Sequence, residues 1–254
     1  MLSCGLDVYQ YLPPVSEPIT RISNDQATIP LPNISDSNIL ANFTHYTIFY
    51  RIYISGNEIP SEIDTPEERG DPDTGVNSAL AQDYNTIEPY TITTTSSTTN
   101  VSTLFKNRNY HELTYERDGS EEHNVLSKST LGGGMGGTLH LNFTTGAIPT
   151  LAIETADPDP LNWPRWNLYR SNGNGTFNPG PLVPDDRYFR NTSNLNSSDK
   201  ANPGDNADVA DKTGISGPRY TYAAMYIVTT GIETPAYTPI YSIPTFVSIF
   251  LLPN

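Results

Sequence analysis

The sequence predicts an all-β protein, an antiparallel sandwich with long polar insertions. Three observations carry this. Apolar and aromatic residues alternate with period two in His45–Ser55 and in Tyr220–Thr229, as strands require. The helical template fits poorly elsewhere, and Pro and Gly together supply 40 of 254 residues, which disfavours long helices. Leu, Ile, Val and Phe total 56 residues, just above the ~20% level below which a charged chain stays disordered.

In the first segment Tyr46, Ile48, Tyr50, Ile52 and Ile54 share one face. His45, Thr47, Phe49, Arg51 and Tyr53 share the other. β-Branched and aromatic residues dominate, as in a half-buried strand, and Gly56-Asn57 supplies a turn. In the second segment Tyr220, Tyr222, Ala224, Tyr226 and Val228 alternate with Thr221, Ala223, Met225, Ile227 and Thr229. Thr230-Gly231 reads as the turn that follows. A last strand runs from Tyr237 to Leu252. Pro239 and Pro244 remove ladder donors from it, so it is an edge or a bent strand. Its apolar end, Thr245–Leu252, reads as the final strand of the sheet, or else as a donor to a neighbour's sheet. Weaker strand patterns lie at Leu6–Tyr11, Ala27–Leu31, Val101–Phe105, Tyr110–Tyr115, Thr138–Phe143, Thr150–Glu154 and Trp166–Arg170.

Polar stretches separate these. Glu58–Glu88 is acidic and Pro-rich, Thr91–Thr99 is almost all Thr and Ser, and Asn191–Gly217 is Asn, Ser, Asp and Gly. Loops of this length are binding loops or insertions. No linker divides two complete strand sets. The organisation read from this is an N-terminal tether, 1–20, and one sandwich domain, 21–254, with insertions at about 56–100 and 171–218.

His45-Tyr46-Thr47-Ile48-Phe49-Tyr50-Arg51-Ile52-Tyr53 resembles the third strand of a fibronectin type III or related immunoglobulin-like sandwich. The stretch Tyr222–Gly231 resembles its Tyr-rich sixth strand and the turn after it, and Trp166–Ser171 is similar to third strands of bacterial members. The resemblance covers about a fifth of the chain. Such a sandwich needs ~100 residues, so the spacing of the two best strands implies large insertions. At the front, Met1-Leu2-Ser3-Cys4-Gly5 resembles the tail of a bacterial lipobox, with Ser3 at the small site before the Cys. That resemblance implies lipid attachment at Cys4, a membrane partner through the anchor, and a place on the outer-membrane or periplasmic face of a bacterial envelope. Cys4 is the sole cysteine, so no intrachain disulfide forms. Seven Asn-X-Ser/Thr triplets occur, at a frequency expected in a chain rich in these residues.

The chemistry is narrowed by what is missing. Fourteen Lys and Arg against 28 Asp and Glu give a net charge of −14, which excludes a nucleic-acid partner of the basic-patch kind. His111-Glu112 begins like a zinc-protease motif, but no second His follows four residues on. There is no Gly-X-Ser-X-Gly elbow. Gly132–Gly137 lacks the Lys-Ser/Thr of a phosphate loop and reads as a hairpin or bulge connection. Calcium is the ionic possibility: Asp71 and Asp73 alternate before Gly75, and Asp205 and Asp208 form a second acidic set, beside Asp157 and Asp159. Trp163 and Trp166 are candidate ligand-binding residues, since exposed aromatic planes stack on sugars or anchor interfaces; the plainer reading makes Trp166 a core residue and Trp163 the cover of a sheet edge.

The functional expectation is a non-catalytic cell-envelope lipoprotein with a structural, adhesive or assembly role, not an enzyme. Its partners are the membrane and another envelope protein or a glycan. The alternatives are a carbohydrate-binding module using Trp163 and Trp166, and a secreted adhesin domain stabilised by calcium.

Overall fold

The computed structural model describes residues 12–15, 19–23, 25–55, 83, 86–87, 99–144, 148–170, 189, 220–233 and 237–252. These residues form two antiparallel sheets with few helices. The larger sheet contains β1 (Thr20–Ser23), β2 (Gln26–Leu31), β5 (Thr114–Arg117), β6 (Ser120–Glu122), β7 (Gly137–Asn142), β8 (Thr150–Ile153) and β9 (Arg165–Tyr169). Its order is β1-β2-β7-β8-β9-β5-β6. The smaller contains β3 (Phe43–Ser55), β4 (His111–Glu112), β10 (Tyr220–Glu233), β11 (Thr238–Tyr241) and β12 (Thr245–Leu251). Here β3 lies between β4 and β10, and β11 and β12 follow one another along the far edge of β10.

The two sheets solve the burial problem differently. In the larger sheet, side chains alternate inward and outward, as in β2, where Ala27, Ile29 and Leu31 point to the core. Its other face is wetter and carries Thr28 and His140. The smaller sheet is buried on both faces. Tyr46, Ile48, Tyr50 and Ile52 of β3, with Ala223, Met225 and Ile227 of β10, pack against the larger sheet. Phe143 stacks on Phe250 across that interface, with centroids 4.5 Å apart. On the opposite face Phe49, Tyr53, Tyr222, Ala224, Tyr226 and Val228 make a second core. The half-buried strand expected at His45–Ser55 is therefore covered on both sides.

The second cover is a helix where a strand is expected. Val101–Phe105 belongs to α2 (Thr99–Asn107), which follows the short α1 (Ser37–Asn42). Val101, Leu104 and Phe105 have helical i, i+3, i+4 spacing and put one apolar stripe on the sheet. Phe105 stacks on Phe49 at 4.2 Å. The helix stops in a Schellman arrangement: Asn109 takes φ 55°, Tyr110 N–H donates to the Phe105 carbonyl, and Asn109 N–H donates to that of Lys106. The apolar contact that accompanies this motif is also present, as the Phe105 and Tyr110 rings meet edge-on at 5.5 Å.

Several expectations hold in detail. Ala27–Leu31, Thr138–Phe143, Thr150–Glu154 and Trp166–Arg170 coincide to within a residue or so with β2, β7, β8 and β9. Tyr110–Tyr115 is split: at Leu113 the chain leaves the smaller sheet and enters the larger one. The last strand is broken at 242–244, beside Pro244, and Thr245–Leu251 pairs with β10 of its own chain. The pattern at Leu6–Tyr11 lies outside the described residues.

Gly231 is a correction. It is not a turn but lies inside β10, which continues to Glu233, at a register shift opposite Phe43. A Cβ there would sit 2.4 Å from the Asn42 carbonyl oxygen. Glycine is required by this close approach of two backbones. Asn42, which heads one Asn-X-Ser/Thr triplet, is itself buried. Gly231→Ala is expected to destabilise the protein by about 1–3 kcal/mol in urea unfolding, as overpacking does. Gly136→Ala, whose nearest contacts would lie at 3.6 Å, is the tolerated control.

Candidate functional site

Three polar constellations stand out among the described residues. The first is built around a buried carboxylate. Arg51 lies on the helix-covered face of β3, opposite Ala224, which leaves room for it. Asp83, from the first insertion, is buried at 1% exposure and accepts from Arg51 Nη1 and, at 2.5 Å, from the Tyr53 hydroxyl. Arg108 reaches the other carboxylate oxygen at 3.4 Å and donates to Thr86 at 2.7 Å. Tyr53 and Tyr110 share a 2.9 Å hydrogen bond, and burial holds both phenols well above their ordinary range, so they remain proton donors. This network ties the insertion to β3.

The second is a cleft of about 130 Å³ at the free edge of β3. The chain leaves this edge where Leu113 N–H bonds the Ile48 carbonyl, and returns where Tyr46 N–H bonds that of Leu126. The gap between them opens beside Thr47. Its lining includes His45, Glu112, Glu121 and His123. His45 accepts or donates at 2.9 Å to the Thr44 hydroxyl, and desolvation lowers its pKa. Desolvation raises both carboxyls, although Glu112 stands at the mouth and is partly open to solvent. At Glu121 the nearby His123, 3.8 Å away, offsets part of the rise. Burial thus moves the His45 imidazole down and the two carboxyls up, toward one another.

The third is the loop between β8 and β9. Trp163 is partly exposed. Its Nε1 donates to the Asp157 carbonyl at 2.9 Å, and His140 packs on its ring at 4.7 Å. His140 is held in turn by Thr28 at 3.3 Å and Glu154 at 3.2 Å. Asp157 and Asp159 spend carboxylate oxygens on Asp159 N–H, Asn162 Nδ2 and Leu161 N–H, so they close the loop on itself.

The two tryptophans are not equivalent. Alternation along β9 turns Trp166 inward with Leu168, and Trp166 is 3% exposed. Its Nε1 donates to Glu122, and Arg117 covers its ring at 5.7 Å. Trp166 is therefore a core residue and offers no face to a ligand. Cys4, Asp71, Asp73, Asp205 and Asp208 lie outside the described residues. Of the histidines, His45 and His123 meet in the cleft, while His140 serves Trp163. His111 is in a strand, where no zinc-protease helix exists. Among the described residues no group of three His, Cys, Asp or Glu is placed to hold a metal, and no helix is long and apolar enough to cross a membrane. Comparisons with family models, with curated proteins and with solved structures find no match.

Sequence reading missed Asp83 and the cleft. An isolated Asp in an acidic stretch carries no local signal. Arg51 does, because a guanidinium inside a strand with apolar neighbours requires a buried partner.

Two outcomes follow from these constellations. Asp83→Ala strands Arg51 and is expected to cost about 3–5 kcal/mol in equilibrium unfolding, with Asp83→Asn intermediate. In the cleft, the folded state disfavours the ionised Glu112, whose carboxyl lies above its ordinary 4.5. The penalty is present at neutral pH and disappears as the pH falls below 4.5. Glu112→Gln should therefore melt higher than the parent near pH 7 and equally near pH 4. His45 acts in the opposite sense, withdrawing stability as pH falls below 6.5.

Proposed function

We propose that the protein is a non-catalytic, lipid-anchored component of a bacterial cell envelope with a structural, adhesive or assembly role. The observation that carries this reading is how the N-terminal segment joins the body. Leu12 and Val15 are buried in the main core. The Pro13 carbonyl accepts from the Thr229 hydroxyl at 2.7 Å and the Val15 carbonyl from that of Thr245 at 3.0 Å. The segment is clamped to β10 and β12 at Pro13 and Val15, nine and eleven positions after Cys4, which is where a load on an anchor would enter the central sheet. The buried charges support the same reading, since Arg51 and Asp83 act as struts between layers.

An immunoglobulin-like arrangement is part of the proposal. The order β4-β3-β10-β12 matches the sheet in which the third strand lies between its hairpin partner and the sixth strand. The larger sheet departs from that pattern, because β7 beside β2 precedes β8 in the chain.

Mass spectrometry of the protein from its native membrane is expected to find a diacylglyceryl group on Cys4, and Cys4→Ser should move the protein to the soluble fraction. An unmodified Cys4 within a longer chain overturns the anchor.

A further inference from the structure

We infer that Trp163 forms a subsite for a neutral sugar ring, which lies on the indole face turned away from His140. This rests on the adhesive form of the function proposed above and supplies its ligand class.

The argument begins with the cost of the loop. Glu154 to Asn162 are all exposed, so this connection contributes little to the core. It is nevertheless fixed by hydrogen bonds: those of Asp157 and Asp159, Thr155 Oγ1 to Asp157 N–H at 3.3 Å, and Arg165 Nη2 to the Pro160 carbonyl at 3.3 Å. Such a loop has lost its conformational entropy before any ligand arrives, which is the condition for affinity from a small contact. Trp163 is the element it holds. The indole edge is bonded and one face is backed by an imidazole that is itself bonded on both nitrogens, so the ring cannot turn away.

What remains open is the part of the Trp163 surface left in solvent, with hydrogen-bonding groups on the loop that carries it. Leu161, 79% exposed, stands on the same turn, two residues before Trp163. Asn162, Arg165 and the unused acceptor capacity of Asp157 lie on the same loop. A sugar ring has this composition: an axial C–H face for the indole and equatorial hydroxyls for the amide, guanidinium and carboxylate. Glu154, Asp157 and Asp159 against a single Arg165 favour a neutral sugar over an anionic one. A protein partner would need a contact of ~800 Å² on each side, far more than one ring and one leucine supply.

Trp166→Phe leaves Trp163 as the sole tryptophan. Titration of this variant with neutral cello-, chito- and manno-oligosaccharides should shift Trp163 emission to the blue for at least one of them. Trp163→Ala should weaken that binding about tenfold or more, and Leu161→Ser a few-fold. Should Trp166→Phe unfold, the indole N–H signal of Trp163 in the unaltered chain, assigned through Trp163→Phe, gives the same readout. No response to any of these sugars at about 10 mM, well beyond a millimolar Kd, overturns the subsite. Adhesion of the full-length protein to envelope material separates the two ideas. Adhesion that survives in Trp163→Ala keeps the adhesive function and removes the subsite, transferring recognition to a protein surface. Absence of adhesion in the unaltered protein removes the adhesive function itself.

Discussion

The structure depends on the pairing of β3 with β10. The two strands match from Ser55 and Tyr220 to Phe43 and Gly231, and both their faces are apolar. A sheet that is apolar on both sides must be covered twice. One side is met by the larger sheet, and the other by α2 together with residues of the first insertion. Arg51 falls on that second side, and a guanidinium there is tolerated only when a carboxylate reaches it. Asp83 does so. The insertion thus adds to a structural layer, for its Asp83 and Ile87 join α2, which follows it, at a single interface. The second insertion contributes in the same way through Phe189, which packs edge-on against Tyr50 and Phe143.

Much of this was legible in the residues. The alternation in His45–Ser55 and Tyr220–Thr229 assigned the correct side chains to each face, because period two is imposed by the backbone itself. The depth of burial was not legible, since alternation between two apolar sets looks the same whether the second face meets water or a helix. The helix at 99–107 was hidden for a related reason. Val101, Leu104 and Phe105 make a stripe too short to outweigh the β-prone Thr and Ser before it. Asp118-Gly119 went unread, although an Asp-Gly pair favours a two-residue hairpin. Both residues take positive φ, 54° and 79°, and join β5 to β6 in register. Gly231 looked like a turn because glycine usually relieves φ, whereas here it relieves crowding. Of the candidate site, the aromatic pair was visible in the sequence, but β9 divides it between core and surface.

Charge is distributed by the same logic. Glu116 faces Glu121 across the β5–β6 hairpin, an arrangement that like charges disfavour. Glu116 is buried and satisfied by Asn167 at 2.7 Å, by Tyr169 and by the Gly119 amide, so its charge is spread over fixed donors. Glu121 has His123 beside it and remains in the cleft. The acidic character of the chain is therefore sorted into carboxylates that hold strands together and carboxylates that stay near solvent, where they retain the ability to titrate.

The central ladder also sets the order of assembly. Its nearest paired residues, Ser55 and Tyr220, are 165 positions apart in the chain. Local hairpins such as β5–β6 and β7–β8 close early, since the entropy of closing a loop grows with its length. β3 emerges first during synthesis and waits for a partner near the other end, with two sticky faces and an open edge. A chain in that condition is exposed to mispairing with its neighbours until β10 arrives. Whatever compartment it folds in, its yield is governed by how well this unmatched strand is shielded in the interval.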